Sequence, residues 1–226
     1  MVHDLNSLLK LMGEVFKAHP WHGISIGDGQ PKVVTAYIEL VPEDTVKYEL
    51  DKESGLLKVD RPQVYSNICP TLYGLIPQTY CGEKIAEFCQ QKTGRQHIVG
   101  DGDPLDICVF SEKLIPHGDV ILQARPVGGL RMIDHGEADD KIIAVMKNDA
   151  VFEEWDDITD CPNKVIERLK HYFLTYKQAP GSSLTDCEIT DVYNKQEAYE
   201  IIRRGYEDYR SKFPEIENVM STMLRR

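Results

Sequence analysis

From Val33 onward the chain runs in short β-branched and aromatic segments that are repeatedly cut by Pro, Gly or acidic turns, and it turns helical only after Asn163. V-V-T-A-Y-I-E-L-V, V-K-Y-E-L and L-L-K-V-D read as successive antiparallel strands, followed by strands near Tyr73–Ile76, Ile107–Phe110, Val120–Val127 and Lys141–Val145. The expectation is an α+β fold: a small closed or partly closed β-barrel with flanking helices, in place of a parallel sheet. One helix is predicted over 4–17, where Leu5, Leu8, Leu9, Met12, Val15 and Phe16 recur at helical steps. Another follows Asn163, with Val165, Leu169, Tyr172, Phe173 and Tyr176 on one stripe, and a third spans about 195–213. Residues 81–100 read as an inserted helix or loop. No linker or repeat divides the 226 residues, so they are expected to form one domain.

The net charge of −11 disfavours nucleic acid and anionic membranes as partners and favours cations. Charged residues interrupt the apolar positions of the first twenty residues, so neither a signal peptide nor a membrane span is expected. Six cysteines without a C-x-x-C pair fit a reducing cytoplasm and read as packing residues.

The chemistry is concentrated in two acidic segments. Gly100-Asp101-Gly102-Asp103-Pro104-Leu105-Asp106 leads directly into the apolar run Ile107–Phe110, and Asp134-His135-Gly136-Glu137-Ala138-Asp139-Asp140-Lys141 leads into I-I-A-V. Carboxylates at this density repel one another unless water screens them or cations bind between them, and hard divalent cations prefer such oxygens. Lys47, Arg61, Lys141 and Lys177, with Tyr73 and Tyr176, are the kind of cationic and hydroxyl groups that hold phosphate oxygens. Acids for metal and bases for phosphate imply a metal–phosphate substrate. Lys47 and Glu49 are two apart on one strand before the hairpin turn D-K-E-S-G, and therefore share a face. An EF-hand loop starting at Asp101 fails at its fifth and sixth places, which hold Leu105 and Asp106. An aspartate-nucleophile phosphatase would need crossover helices where strands and turns stand.

D-G-D-P-L-D resembles the D-x-D-P-x-D signature of the soluble family I inorganic pyrophosphatases. The similarity runs from about Tyr37 to Lys177 through I-E-L-V-P, V-K-Y-E-L-D-K-E-S-G, V-D-R, P-T-L-Y-G, R-P-V-G-G-L, the second acidic segment and H-Y-F-L-T-Y-K, in the family's order. The resemblance implies a five-stranded OB-like β-barrel with flanking helices. It also implies Mg2+ as cofactor, several ions per site with Mn2+ or other divalent ions possible, pyrophosphate as substrate and a homo-oligomer. It makes Asp101, Asp106 and Asp139 ligands of a central metal pair, and Asp134 with Asp139 a site for an ion arriving with substrate; Glu39 and Glu49 belong to the same acidic basin. Asp103 would orient and deprotonate the attacking water, Lys47, Arg61, Lys141 and Lys177 would neutralise the phosphoryl groups, and Tyr73 and Tyr176 would donate hydrogen bonds to them. The reaction expected is direct in-line attack of a metal-bridged hydroxide, yielding two orthophosphates.

The sequence departs from the family pattern at His135, where an acid is frequent, and at Leu72, where Asn is common. Two rival readings remain: a catalytically silent metal- or phosphate-binding module, and a hydrolase of other short polyphosphates.

Overall fold

The structure, a computed structural model, describes residues 17–63, 66–177 and 187–214. The helix expected over 4–17 therefore lies outside the described residues, except for Lys17. Five strands form a closed ring: β1 (Val34–Leu40), β4 (Leu72–Leu75), β6 (Asp106–Phe110), β9 (Lys141–Met146) and β7 (Val120–Asp134), with β7 returning to pair with β1. Numbered by their own order along the chain, the ring members follow one another as 1-2-3-5-4 and back to 1. All ring pairs are antiparallel except β6–β9, which is parallel; of the three runs expected as successive antiparallel strands, the second and third pair so, while β1 pairs instead with β4 and β7.

The hairpin of β2 (Val46–Leu50) and β3 (Leu57–Pro62) forms a separate two-stranded sheet. Its turn is the expected D-K-E-S-G, closed by Gly55 N–H donating to Asp51 O and by Ser54 N–H donating to the Asp51 carboxylate. β7 is longer than expected. It runs fifteen residues to Asp134 and beyond the ring pairs with β8 (Glu137–Ala138) and with β10 (Cys187–Asn194), a strand the sequence did not announce. β8 also carries β5 (Val99–Gly100) as a parallel neighbour.

Within 81–100 the chain forms helix α1 (Glu83–Thr93), ended by Gly94 in the left-handed region at φ 70°. Its N-terminus is capped from far away: the Asp208 carboxylate accepts from the backbone N–H groups of Gly82, Lys84 and Ile85. Helix α2 (Asn163–Thr175) buries Ile166, Leu169, Tyr172 and Phe173 against one side of the ring. Helix α3 (Lys195–Lys212) starts where the Asn194 side chain accepts from Glu197 N–H, and it packs Ala198, Ile201 and Ile202 with Ile85 and Phe88 of α1 on the other side. The cysteines are free thiols, five of them buried and Cys187 half-buried, as packing residues should be.

Candidate active site

The parallel pairing of β6 with β9 decides where the acids go. Each acidic segment directly precedes one of these strands, and parallel neighbours start from the same rim, so the two segments meet although they are distant in sequence. Asp106 stands opposite Lys141 in the register. Each segment turns through a glycine in the left-handed region, Gly102 at φ 78° and Gly136 at φ 85°, where a side chain would be strained. In the first segment the Asp101 carboxylate accepts from Asp103 N–H at 2.9 Å, which folds the loop back on itself.

All thirteen site residues expected from sequence line one cavity of about 320 Å3. Asp101, Asp103 and Asp106 come from the first acidic segment, Asp134, Asp139 and Lys141 from the second. Glu39 comes from β1, Lys47 and Glu49 from β2, Arg61 from β3, Tyr73 from β4, and Tyr176 and Lys177 from the end of α2. Lys52, Asp60 and Glu137 also line it and were not singled out. Asp60 and Lys52 lie inside the quoted motifs V-D-R and D-K-E-S-G. The signal for Asp60 was its place beside Arg61; for Lys52, at an exposed turn, nothing separated it from an ordinary surface lysine.

The cations are held by these acids. Asp60 Oδ2 accepts from Lys47 Nζ at 3.0 Å and from Arg61 Nη1 at 2.5 Å, so one oxygen gathers two of the expected phosphate-binding groups. Lys177 Nζ donates to Asp134 at 2.7 Å, and Lys52 pairs with Asp103. Lys141, 2% exposed, lies against both Asp106 and Asp139. Burial disfavours its charge, but these two carboxylates outweigh it and hold the ammonium well above its ordinary value. The Tyr73 phenol is held high by burial and by Asp106, and so stays a neutral hydrogen-bond donor.

Acid remains in excess. Nine carboxyl groups line the cavity against five cationic side chains. Burial, then the charge of Asp139, pushes Asp101 up to about 8. Burial raises Asp139 to about 6 against the pull of Lys141. Glu39 is pushed up to about 8 by burial, partly offset by the Leu50 N–H that its carboxylate accepts at 2.6 Å. Among the described residues no three acidic, His or Cys side chains already converge as a cage, since Lys141 stands between Asp106 and Asp139. The donor set is nevertheless all oxygen and under-neutralised, which suits hard divalent cations. Asp101, Asp106, Asp134 and Asp139, the ion ligands expected from the sequence, are among the carboxylates that line the cavity.

Leu72, one of the two departures, is buried among the core side chains and makes no part of the cavity lining. His135 is exposed, with Nε2 3.7 Å from Asp134 Oδ1.

The inorganic pyrophosphatase family profile matches residues 36–210. The chain belongs to this family. Among relatives of the inorganic pyrophosphatases, the inorganic pyrophosphatase of Chlamydia muridarum is 53% identical over 199 residues, covering 86% of this chain and 95% of that protein. Soluble inorganic pyrophosphatase 1 of Arabidopsis thaliana is 33% identical over 192 residues, covering 85% and 80%. The crystal structure of the inorganic pyrophosphatase from Thermus thermophilus superposes with a TM-score of 0.70 at 30% identity, covering 86% of this chain and 99% of that one. Among the described residues no helix of this pyrophosphatase-family chain is long and apolar enough to cross a membrane.

Proposed function

We propose that this chain is a magnesium-dependent enzyme that hydrolyses inorganic pyrophosphate to two orthophosphates by direct in-line attack of water. The observation that carries the reading is the single cavity in which an excess of carboxylates from two acidic segments faces lysines, an arginine and two tyrosines.

Pyrophosphate repels an anionic nucleophile, so charge cancellation is the main task. Lys47 and Arg61, gathered by Asp60, together with Lys141 and Lys177, neutralise the phosphoryl oxygens, and the Tyr73 and Tyr176 hydroxyls donate hydrogen bonds to them. Asp103 orients the attacking water and takes its proton as the new P–O bond forms; the bridging oxygen leaves with the second phosphate. Divalent ions held by Asp101, Asp106, Asp134 and Asp139, with Glu39 and Glu49 in the same basin, would supply further charge neutralisation and lower the pKa of water from about 15.7 toward roughly 7.

The 1-2-3-5-4 ring fits the OB-like barrel that the resemblance implies, and we read the chain as one domain built around it. A homo-oligomer in the cytoplasm completes the proposal.

The test is phosphate release from pyrophosphate with and without Mg2+, for wild type and Asp103→Asn. Metal-dependent release is expected from wild type, and a loss of about 10²–10⁴ from the variant with its fold intact. Equal activity in the two proteins would remove Asp103 from this role. An acid-quenched turnover of labelled pyrophosphate that leaves phosphate on the chain would replace direct attack by a covalent route. Release from tripolyphosphate or nucleotides but not pyrophosphate would favour the broader hydrolase, and no release at all the silent binding module.

A further inference from the structure

Behind the cavity lies a buried charge cluster that the reaction does not touch. Arg131 on β7 is 1% exposed and its guanidinium sits between two rings, 5.4 Å from the Phe88 centroid and 5.1 Å from that of Tyr193. Its Nη1 is 2.7 Å from Glu197 Oε1 at the start of α3, and its Nη2 is 3.7 Å from Asp140 Oδ2. Asp140, 4% exposed, stands between Asp139 and Lys141, both of which line the cavity while Asp140 does not. Asp139 N–H donates to Met132 O at 3.0 Å. The two-residue break between β8 and β9 is thus fastened to β7 from behind by one side chain and by one backbone bond.

We propose that Arg131 and Asp140 are positioning residues, anchoring the Asp139–Lys141 segment to β7 and α3 so that the Asp139 carboxylate and the Lys141 ammonium are held toward the cavity. Successive residues of an extended segment point to opposite sides, so an anchor on Asp140 fixes the orientation of both its neighbours. Fold stability alone is a poor account of the cluster. A buried ion pair costs about as much in desolvation as it returns, and in this one Arg131 Nε, Arg131 Nη2 and Asp140 Oδ1 have no hydrogen-bond partner among the described residues. Groups that orient metal ligands from behind are, in contrast, worth about 10–100-fold in ion affinity.

The inference rests on Asp139 being an ion ligand, and the experiment separates the two ideas. Mn2+ binding is measured by calorimetry on the full chain without substrate, beside thermal unfolding, for wild type, Asp139→Asn, Asp140→Asn, Arg131→Met and Arg131→Lys. Asp140→Asn and Arg131→Met are expected to weaken Mn2+ binding about tenfold or more in protein that is still folded, with Arg131→Lys recovering part of the loss. Wild-type affinity in folded Asp140→Asn, while Asp139→Asn binds poorly, would overturn the positioning role alone. Unchanged affinity in Asp139→Asn would instead remove the ligand assignment on which it stands. Should Arg131→Met fail to fold, Asp140→Asn, which keeps size and shape, decides the question.

Discussion

Asp106 and Lys141 are partners across the one parallel strand pair of the ring, and the buried Lys141 ammonium rests against the Asp106 carboxylate. Their strands begin at the same rim, which puts a cation from the second acidic segment among the carboxylates of both. The pair joins the two halves of the site.

Lys141→Met should therefore act on stability and on chemistry together. Removing one member of a buried ion cluster leaves Asp106 and Asp139 uncompensated, at a cost of about 3–5 kcal/mol in protein freed of divalent ions. Added Mg2+ is expected to return part of that stability, since it replaces the missing positive charge, while phosphate release stays reduced by about 100-fold or more. Urea denaturation with chelator and with Mg2+, beside an activity assay, measures both effects. Equal stability of variant and wild type in chelator would contradict the electrostatic role.

Glu39 sets a pH dependence. Burial pushes its carboxyl from the ordinary 4.5 up to about 8, so the folded protein keeps a proton that the unfolded chain releases. Stability is then highest below the lower of these values and falls as pH rises through the upper one. In chelator, the unfolding free energy is expected to decline between about pH 5 and 8. Glu39→Gln keeps an acceptor for Leu50 N–H and should flatten the decline; urea titrations at several pH values compare the slopes, and identical slopes would clear Glu39 of responsibility.

Gly100→Ala should move the first acidic segment. A Cβ there would lie 2.1 Å from the Cys81 carbonyl oxygen, which accepts from Gly102 N–H, while Cys81 N–H donates to Asp103 O. Something must shift, and Asp101 and Asp103 travel with it. The expected result is activity lowered by about 10²-fold or more, since catalysis tolerates little misplacement. Phosphate release from variant that is folded by circular dichroism provides the check.

Asp208→Ala tests the opposite case, a residue that matters to the fold and not to the site. Losing the carboxylate that accepts three backbone N–H groups at the start of α1 should cost about 1–3 kcal/mol. Turnover per folded molecule is expected to stay near wild type, and urea denaturation beside kcat separates the two.

The strands and helices that bury regular patterns were legible in the sequence, because alternation and helical spacing are local. The V-K-Y-E-L and L-L-K-V-D runs with D-K-E-S-G between them specify a hairpin unaided. β10 was missed because the alternation of C-E-I-T-D-V-Y-N breaks at the bulge between Ile189 and Asp191, and it becomes a strand by pairing with the far end of β7. That extension of β7 was missed as well, since G-G-L-R-M-I lacks alternation when both of its faces are buried. The acids and cations of the site were legible as chemistry and through a recognisable motif. Which of them touch was not, because the gathering of Lys47 and Arg61 by Asp60 and the reach of Arg131 to Asp140 depend on contacts between elements.

One strand, β7, closes the ring against β1 near its beginning and carries Asp134 at its end, with β8, β9 and β10 bonded along its length. It works as a keel: loosening it parts the ring and frees the Asp134 end of the acid rim together. Heating should accordingly undo ring closure and that end of the rim in a single step.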